Sequence, residues 1–157
     1  MTPFDRSIAF VLHWEQEWSD DPADPGRRTR WGISSRAHPD IDLDLLTREK
    51  AILFYRAAYW EKARCEALPW PLSLVLFDGA VQHGIIPATR FLQTALRVEV
   101  DGVIGPETIA AARSAPAPDV VTETLARRAV LYATLHERFR LGWMRRLFAL
   151  HNEAFTA

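Results

Sequence analysis

The chain of 157 residues carries 19 Lys and Arg against 20 Asp and Glu, a formal net charge of −1, and is 48% hydrophobic and 25% charged. That length buries a full core in one compact domain, or in a main domain with a small satellite, and the charge balance excludes a general nucleic-acid binder, which needs a dominant positive field. With Cys65 as the only cysteine, no intrachain disulfide can form and stability rests on packing. No stretch is long and apolar enough to span a bilayer, and Asp5, His13 and Glu15 interrupt the N-terminal apolar residues, so no secretory leader is expected.

Residues 2–18 read as an amphipathic helix with Phe4, Ile8, Val11, Leu12 and Trp18 on one face. Glu15 falls on that face, where lost hydration disfavours a charged carboxylate, as a general acid working near neutral pH requires. Glu17, three residues after Trp14 and seven after Phe10, lies on a second and narrower apolar row. Periodicity therefore favours Glu15 only modestly, and either glutamate can simply end the helix in water. Residues 19–28, with Asp20, Asp21, Pro22, Asp24, Pro25 and Gly26, form a run of turn formers that stops the helix. Residues 29–34 follow as a short strand or half of a small hairpin, and 36–44 as a polar loop.

Thr47 caps a helix that reaches about Trp60 and buries Ala51, Phe54, Tyr55, Ala58 and Tyr59. The LPWP run at 68–71 breaks the chain before a helix over 72–83, closed by Gly84. Pro87 suits the first turn of a helix through about Leu96, with Phe91, Leu92, Ala95 and Leu96 as its buried side. Asp101-Gly102 marks a turn and Gly105-Pro106 the start of a short helix over 107–112. The SAPAP run at 114–118 is a helix connection. A long helix then carries Val121, Leu125, Arg128, Tyr132, Leu135 and Phe139 on one face, Gly142 breaks it, and 143–150 form a final helix. So few strands place the chain in the mainly α class, with a small β element after the first helix.

Three acidic or hydroxyl positions bracket the predicted turn: Glu15, Asp24 and Thr29. Hydrolysis of a glycosidic bond needs one carboxylic acid to protonate the leaving oxygen and usually a second carboxylate to activate water or stabilise the cationic transition state, while a threonine hydroxyl can hold the water. Taken alone, the spacing also fits an Asp that forms a turn and a Thr that forms a strand. Asp78 stands in the middle of an apolar helix, where burial demands hydrogen-bonding partners; it reads equally as a structural Asp or as a cleft residue, and His83 and Gln93 read first as structural and second as lining the same groove. His13 and Glu17 lie at i, i+4, but HWEQE is not the HExxH zinc motif, and His38, His83, His136 and His151 show no ligand spacing. The 20–24 acidic run lacks the alternating ligands and closing glutamate of a calcium loop, so neither a metal nor a cofactor is expected. Arg127, Arg128, Arg138, Arg140, Arg145 and Arg146, interleaved with Phe139, Trp143, Leu147 and Phe148, read as a solvated face or as a weak attraction to anionic envelope surfaces.

The run EQEWSDDPADPGRRTRWGIS at 15–34 resembles the signature of the bacterial and phage N-acetylmuramidases of glycoside hydrolase family 108, in which EGGY precedes a DPxDPGG turn and TxxGIS. Further similar residues occur in order: Leu45-Leu46-Thr47, Tyr59-Trp60, Leu68-Pro69, Phe77-Asp78-Gly79-Ala80-Val81, Gly84, Leu92-Gln93, Asp101-Gly102-Val103-Ile104-Gly105-Pro106 and Gly142-Trp143. The resemblance implies a lysozyme-like fold, a muramidase domain over 1–93 and a small helical peptidoglycan-binding module over 94–157 packed against it. It implies cleavage of the β-1,4 bond between N-acetylmuramic acid and N-acetylglucosamine, with Glu15 as the catalytic acid. The Glu, Asp, Thr spacing also resembles that of phage-type lysozymes, which makes Asp24 and Thr29 the second and third catalytic candidates and Asp21 the reserve carboxylate. Trp18, Asp21, Trp31, Asp78, Gln82, His83 and Gln93 are the implied substrate-binding set.

The departures from the family pattern are Gln16 and Glu17 for two glycines, Trp18 for tyrosine, Arg27 for a glycine, and Gln82 where asparagine is usual. Trp18 keeps an aromatic surface for a sugar ring, and the acid itself is retained. The expected protein is a monomeric endolysin with peptidoglycan as its partner. It is made in the host cytoplasm without a leader and reaches the wall in the periplasm through a holin-like pore. A bacterial muramidase remodelling the wall for secretion, and a non-catalytic wall-binding protein, are the alternatives.

Overall fold

The computed structural model describes residues 1–15, 18–19 and 28–156, with the backbone alone at Trp18 and Ser19. Helix α1 (Pro3–Trp14) opens on a capping box in which the Asp5 N–H donates to Thr2 Oγ1 at 3.1 Å and the Thr2 N–H donates to Asp5 Oδ2 at 2.9 Å. Two of the helix's orphan donors are satisfied this way. It buries Phe4, Ile8, Phe10, Val11 and Leu12 and ends four residues earlier than expected. Glu15 turns to extended backbone (φ −86°, ψ 120°) as the C-terminal cap, its N–H donating to the Val11 carbonyl at 3.0 Å. Trp18 therefore does not lie on the helical face. It belongs to β1 (Trp18–Ser19), the first strand of a three-stranded antiparallel sheet with β2 (Thr29–Arg30) and β3 (Ile33–Ser34).

The register pairs Trp18 with Arg30, and Arg30 with Ile33. Residues 29–34 are thus a whole hairpin rather than half of one. Trp31 and Gly32 form its two-residue turn with φ of 51° and 75°, both in the left-handed region that a type I′ turn requires. Residues 20–27 of the turn predicted over 19–28 lie outside the described residues.

A short 3₁₀ turn (Leu43–Leu45) leads to α2 (Arg48–Tyr55), capped by Thr47, whose Oγ1 accepts from the Lys50 N–H. The helix then widens into a π-helical turn (Arg56–Trp60). This shifts the inward face, because i→i+5 bonding rotates the following side chains. Ala51, Tyr55 and Trp60 are buried, while Phe54, Ala58 and Tyr59, expected inside, are only half-buried. Helix α3 (Leu72–His83) has the predicted bounds and ends at Gly84 with φ 85°. Every residue from Leu72 to Ala80 is buried, so this helix is surrounded on all sides and forms the axis of the molecule.

Helix α4 (Ile85–Leu96) buries Ala88, Thr89, Leu92 and Gln93, a face rotated from the expected Phe91, Leu92, Ala95 and Leu96. Close approach explains the rotation: a Cβ on Gly79 of α3 would lie 3.1 Å from the Ala88 Cβ, so the small residues of α4 face α3 and its larger ones flank the contact. Helix α5 (Pro106–Ser114) starts at the predicted Gly-Pro. Helices α6 (Ala117–Thr134) and α7 (Glu137–Phe155) are separated at Leu135 and His136, not at Gly142. His136 Nδ1 accepts from the Arg138 N–H at 3.2 Å and caps α7, and the helix runs through Gly142, around which there is open space. The described residues form a mainly α molecule with a small sheet after the first helix. Helices on both sides of residue 93 contribute to one continuous core, in which Phe77 and Leu92 join Val121, Tyr132, Leu147 and Leu150. Among the described residues, no helix is long and apolar enough to cross a membrane.

Candidate functional site

Because α1 stops at Trp14, Glu15 leaves the helix end pointing across the top of α3. Its Oε1 accepts from Arg146 Nη1 at 2.8 Å and from Gln82 Nε2 at 3.4 Å, and 19% of its side chain remains exposed. The apolar stripe expected around this carboxylate is replaced by an ion pair, since the helix ends before Glu15 can join the buried face.

The same guanidinium reaches back to Asp78, with Nε at 2.8 Å and Nη2 at 2.7 Å from Oδ1. Asp78 is fully buried in the middle of α3, and its Oδ2 accepts from Arg128 Nη2 at 2.7 Å. Arg128 also donates to the Tyr132 hydroxyl at 3.2 Å and, through Nε, to His83 Nε2 at 3.3 Å. Two carboxyl groups and two guanidiniums thus alternate in one run of contacts from the cavity edge into the core. A buried ion survives only when paired and hydrogen-bonded, and here each carboxylate has at least one arginine. Burial works against the Asp78 charge, but Arg146 and Arg128 together outweigh it and hold its carboxyl below the usual range. Burial likewise opposes the Arg146 charge, and the flanking Asp78 and Glu15 raise its proton affinity regardless. His83 is pulled down to about 4 by burial and then by the neighbouring Arg128; it is neutral and accepts through Nε2.

A cavity of about 190 Å³ opens beside Glu15, lined also by Gly32, Ser34, His38, Phe54, Tyr55, Tyr59 and Gln82. The hairpin tip forms one wall. Tyr55 donates its hydroxyl to the Trp31 carbonyl at 2.9 Å, fastening the turn to α2. Burial, and then the Glu15 charge, push the Tyr55 and Tyr59 phenols up, so both stay protonated hydrogen-bond donors. At Gly32, a Cβ would stand 2.5 Å from the Tyr55 hydroxyl and 2.7 Å from Glu15 Oε2. Gly32→Ala is expected to cost about 1–2 kcal/mol from the left-handed backbone alone, and by displacing the carboxylate to lower turnover about tenfold. Unfolding and initial-rate measurements check both, and an alanine variant as active as wild type would show that the hairpin tip does not set the carboxylate's position.

Glu15 and Gln82 are brought together in the structure. Trp31 is half-buried in the adjoining turn. Thr29 pairs with Ser34, which lines the cavity, while Thr29 itself is not among the lining residues. Asp21 and Asp24 lie outside the described residues, as does the side chain of Trp18. Three of the candidate substrate contacts are engaged within the protein. Asp78 is sealed in the core with both oxygens engaged. His83 is committed to Arg128 and packs against Tyr132 at 5.0 Å between ring centroids. Gln93, 1% exposed, clamps the 101–103 turn: its Nε2 donates to Asp101 Oδ1 and the Val103 carbonyl, and its Oε1 accepts from the Gly102 N–H.

Arg146 and Arg128 escape a reading that places them on a basic surface; both are buried, so the basic face of the C-terminal third is smaller than the sequence suggests. Their positions carried a signal nonetheless. Arg128 stands in phase with Val121, Leu125 and Tyr132, and Arg146 precedes Leu147 and Leu150 on an inward face. Such charges require buried counter-ions, which Asp78 supplies. Tyr55, Tyr59, His38 and Phe54 reach the cavity through tertiary packing and had no comparable local signal. Among the described residues, no group of His, Cys, Asp and Glu could hold a metal ion.

Two family models match the chain. The model of glycosyl hydrolase 108 matches residues 8–84, and that of a predicted peptidoglycan domain matches residues 87–148. Among solved structures, SagA of Brucella abortus is similar over 96% of this chain and 92% of that chain, with 30% sequence identity and a TM-score of 0.86. No curated protein matches.

Proposed function

The chain belongs to the glycosyl hydrolase 108 family, and from that premise we propose that it is an N-acetylmuramidase cutting the β-1,4 bond between N-acetylmuramic acid and N-acetylglucosamine, with Glu15 as general acid. The coarser statement stands on its own: this is a glycoside hydrolase of lysozyme-like, mainly α fold directed at peptidoglycan. The observation that carries the finer reading is the Glu15 carboxylate, opening into a cavity walled by Phe54, Tyr59 and His38. Aromatic faces of this kind pack against the apolar faces of sugar rings.

In the proposed reaction Glu15 protonates the glycosidic oxygen while Asp24, with Thr29, positions the attacking water, and Asp21 is the reserve for the second carboxylate. Among the described residues, both hydrogen bonds to Glu15 fall on Oε1, which leaves Oε2 to carry the proton. Trp18 and Trp31 offer further sugar-stacking surfaces. The protein works as a monomer, leaves the host cytoplasm as an endolysin through a holin-like pore, and is drawn weakly to anionic envelope surfaces by its remaining exposed arginines. A second reading, a bacterial muramidase that remodels the wall for secretion, is favoured by the bacterial source of the similar structure.

Mass spectrometry of purified peptidoglycan after digestion tests the activity. The expected products carry N-acetylmuramic acid at the new reducing end. N-acetylglucosamine at that end would reassign the bond, and binding without new reducing ends would make the protein a wall-binding one.

A further inference from the structure

We infer that Arg146 is the positioning residue of the site: it anchors Oε1 of Glu15 so that Oε2 faces the substrate, and it is itself held by the buried Asp78–Arg128 pair. The inference rests on the reading of Glu15 as the acid and extends it to a residue 131 positions away in the chain.

The geometry is that of a bracket. Arg146 donates Nε to Asp78 Oδ1, with Nη2 in ion-pair contact with that same oxygen, and donates Nη1 to Glu15, so its rigid planar guanidinium fixes the carboxylate relative to α3. Asp78 cannot drift, because Arg128 grips its other oxygen and is braced in turn by Tyr132 and His83. With 6% of its side chain exposed, Arg146 makes no surface for a wall polymer. The segment that matches a predicted peptidoglycan domain therefore supplies a working part of the hydrolase site through α7.

The Arg146 guanidinium is shared between Glu15 and Asp78, which offsets part of its charge. Among the described residues, the other polar groups that line the cavity with Glu15 are Gln82 from α3, Tyr55 and Tyr59 from α2 and its π-helical extension, Ser34 from β3, and His38 from the loop before α2. Among these described groups, Arg146 brings the only fixed positive charge into contact with it.

The experiment compares wild type, Arg146→Met, Arg146→Lys and Glu15→Gln on solubilised peptidoglycan fragments, measuring kcat and KM against pH, with circular dichroism as the check on folding. If Glu15 is the acid, the alkaline limb of kcat reports loss of its proton. Arg146→Met should lower kcat by roughly ten- to a hundredfold while KM stays within about twofold. Loss of the adjacent cation should also move the alkaline limb of the kcat profile to higher pH. Arg146→Lys keeps the charge without the fork, so its limb should stay at the wild-type pH with kcat between the other two. A folded Arg146→Met whose limb and kcat match wild type overturns the inference. If that variant does not fold, Arg146→Lys decides: reduced kcat at unchanged KM supports the bracket, and wild-type kcat overturns it. Activity retained in Glu15→Gln would instead remove the acid itself, a failure of the parent reading that is visible whatever Arg146 does.

Discussion

Glu15→Gln is expected to reduce kcat on peptidoglycan by about 10²- to 10⁴-fold, the range a positioned general acid contributes, while binding of wall fragments persists. The amide matches the carboxylate in size, and its carbonyl can still accept from Arg146, so the bracket around the site is preserved. What it lacks is a proton to transfer at the group beside the cavity. The loss should therefore fall on kcat and spare KM, the pattern of an interaction made only in the transition state. Stability should change little, because the side chain is partly exposed and Arg146 keeps its two contacts with Asp78. Release of reducing ends and a parallel sedimentation assay for wall binding read the two quantities separately. A variant that keeps more than about a tenth of wild-type turnover would pass the acid's role to another carboxylate, with Asp24 and Asp21 the first to examine.

The sequence was legible where the signals are local and silent where they are not. Helix α3 was read to the residue because a proline pair precedes it, an apolar run fills it and Gly84 stops it. The expected α1 runs past its true end because Trp18 happens to fall in helical phase; only its sheet partner Arg30, about twelve residues on, decides that the backbone turns extended at Glu15. Gly142 looked like a break because glycine costs helical stability, yet nothing around it opposes the helix, and the break moved to the capping His136. For the site, periodicity chose Glu15 over Glu17 only narrowly, and the resemblance supplied the rest. Gln93, offered as a lining residue of the groove near Asp78 or as a structural one, serves the turn that starts α5, a contact that periodicity does not reveal. Arg146 could not be assigned to Glu15 from sequence, because their contact exists only after α7 has packed across α1 and α3.

Asp78→Asn is expected to destabilise the protein by about 3 kcal/mol or more, because removing one member of a buried ion pair leaves the others uncompensated. Two guanidiniums, Arg128 and Arg146, would share a neutral amide in the buried interior. Against the 5–15 kcal/mol that holds an ordinary domain together, that is a large share, and thermal or urea unfolding should show it directly. Adding Arg128→Met should recover part of the loss by removing one stranded charge; failure to recover any would mean that shape, not charge, is what Asp78 provides. The pH dependence has a definite sign. The Asp78 carboxyl is held below its ordinary value of 3.8, so the unfolded chain takes up that proton first. The stabilisation is complete above about pH 4 and is lost as pH falls through the lower folded value. Wild type should thus lose its advantage over Asp78→Asn only in strong acid. His83, neutral when folded and pulled down to about 4 from 6.5, acts in the window above, where stability declines as pH falls from 6.5 towards 4. Turnover should fall in Asp78→Asn even where it remains folded, since Arg146 then loses the anchor through which it holds Glu15.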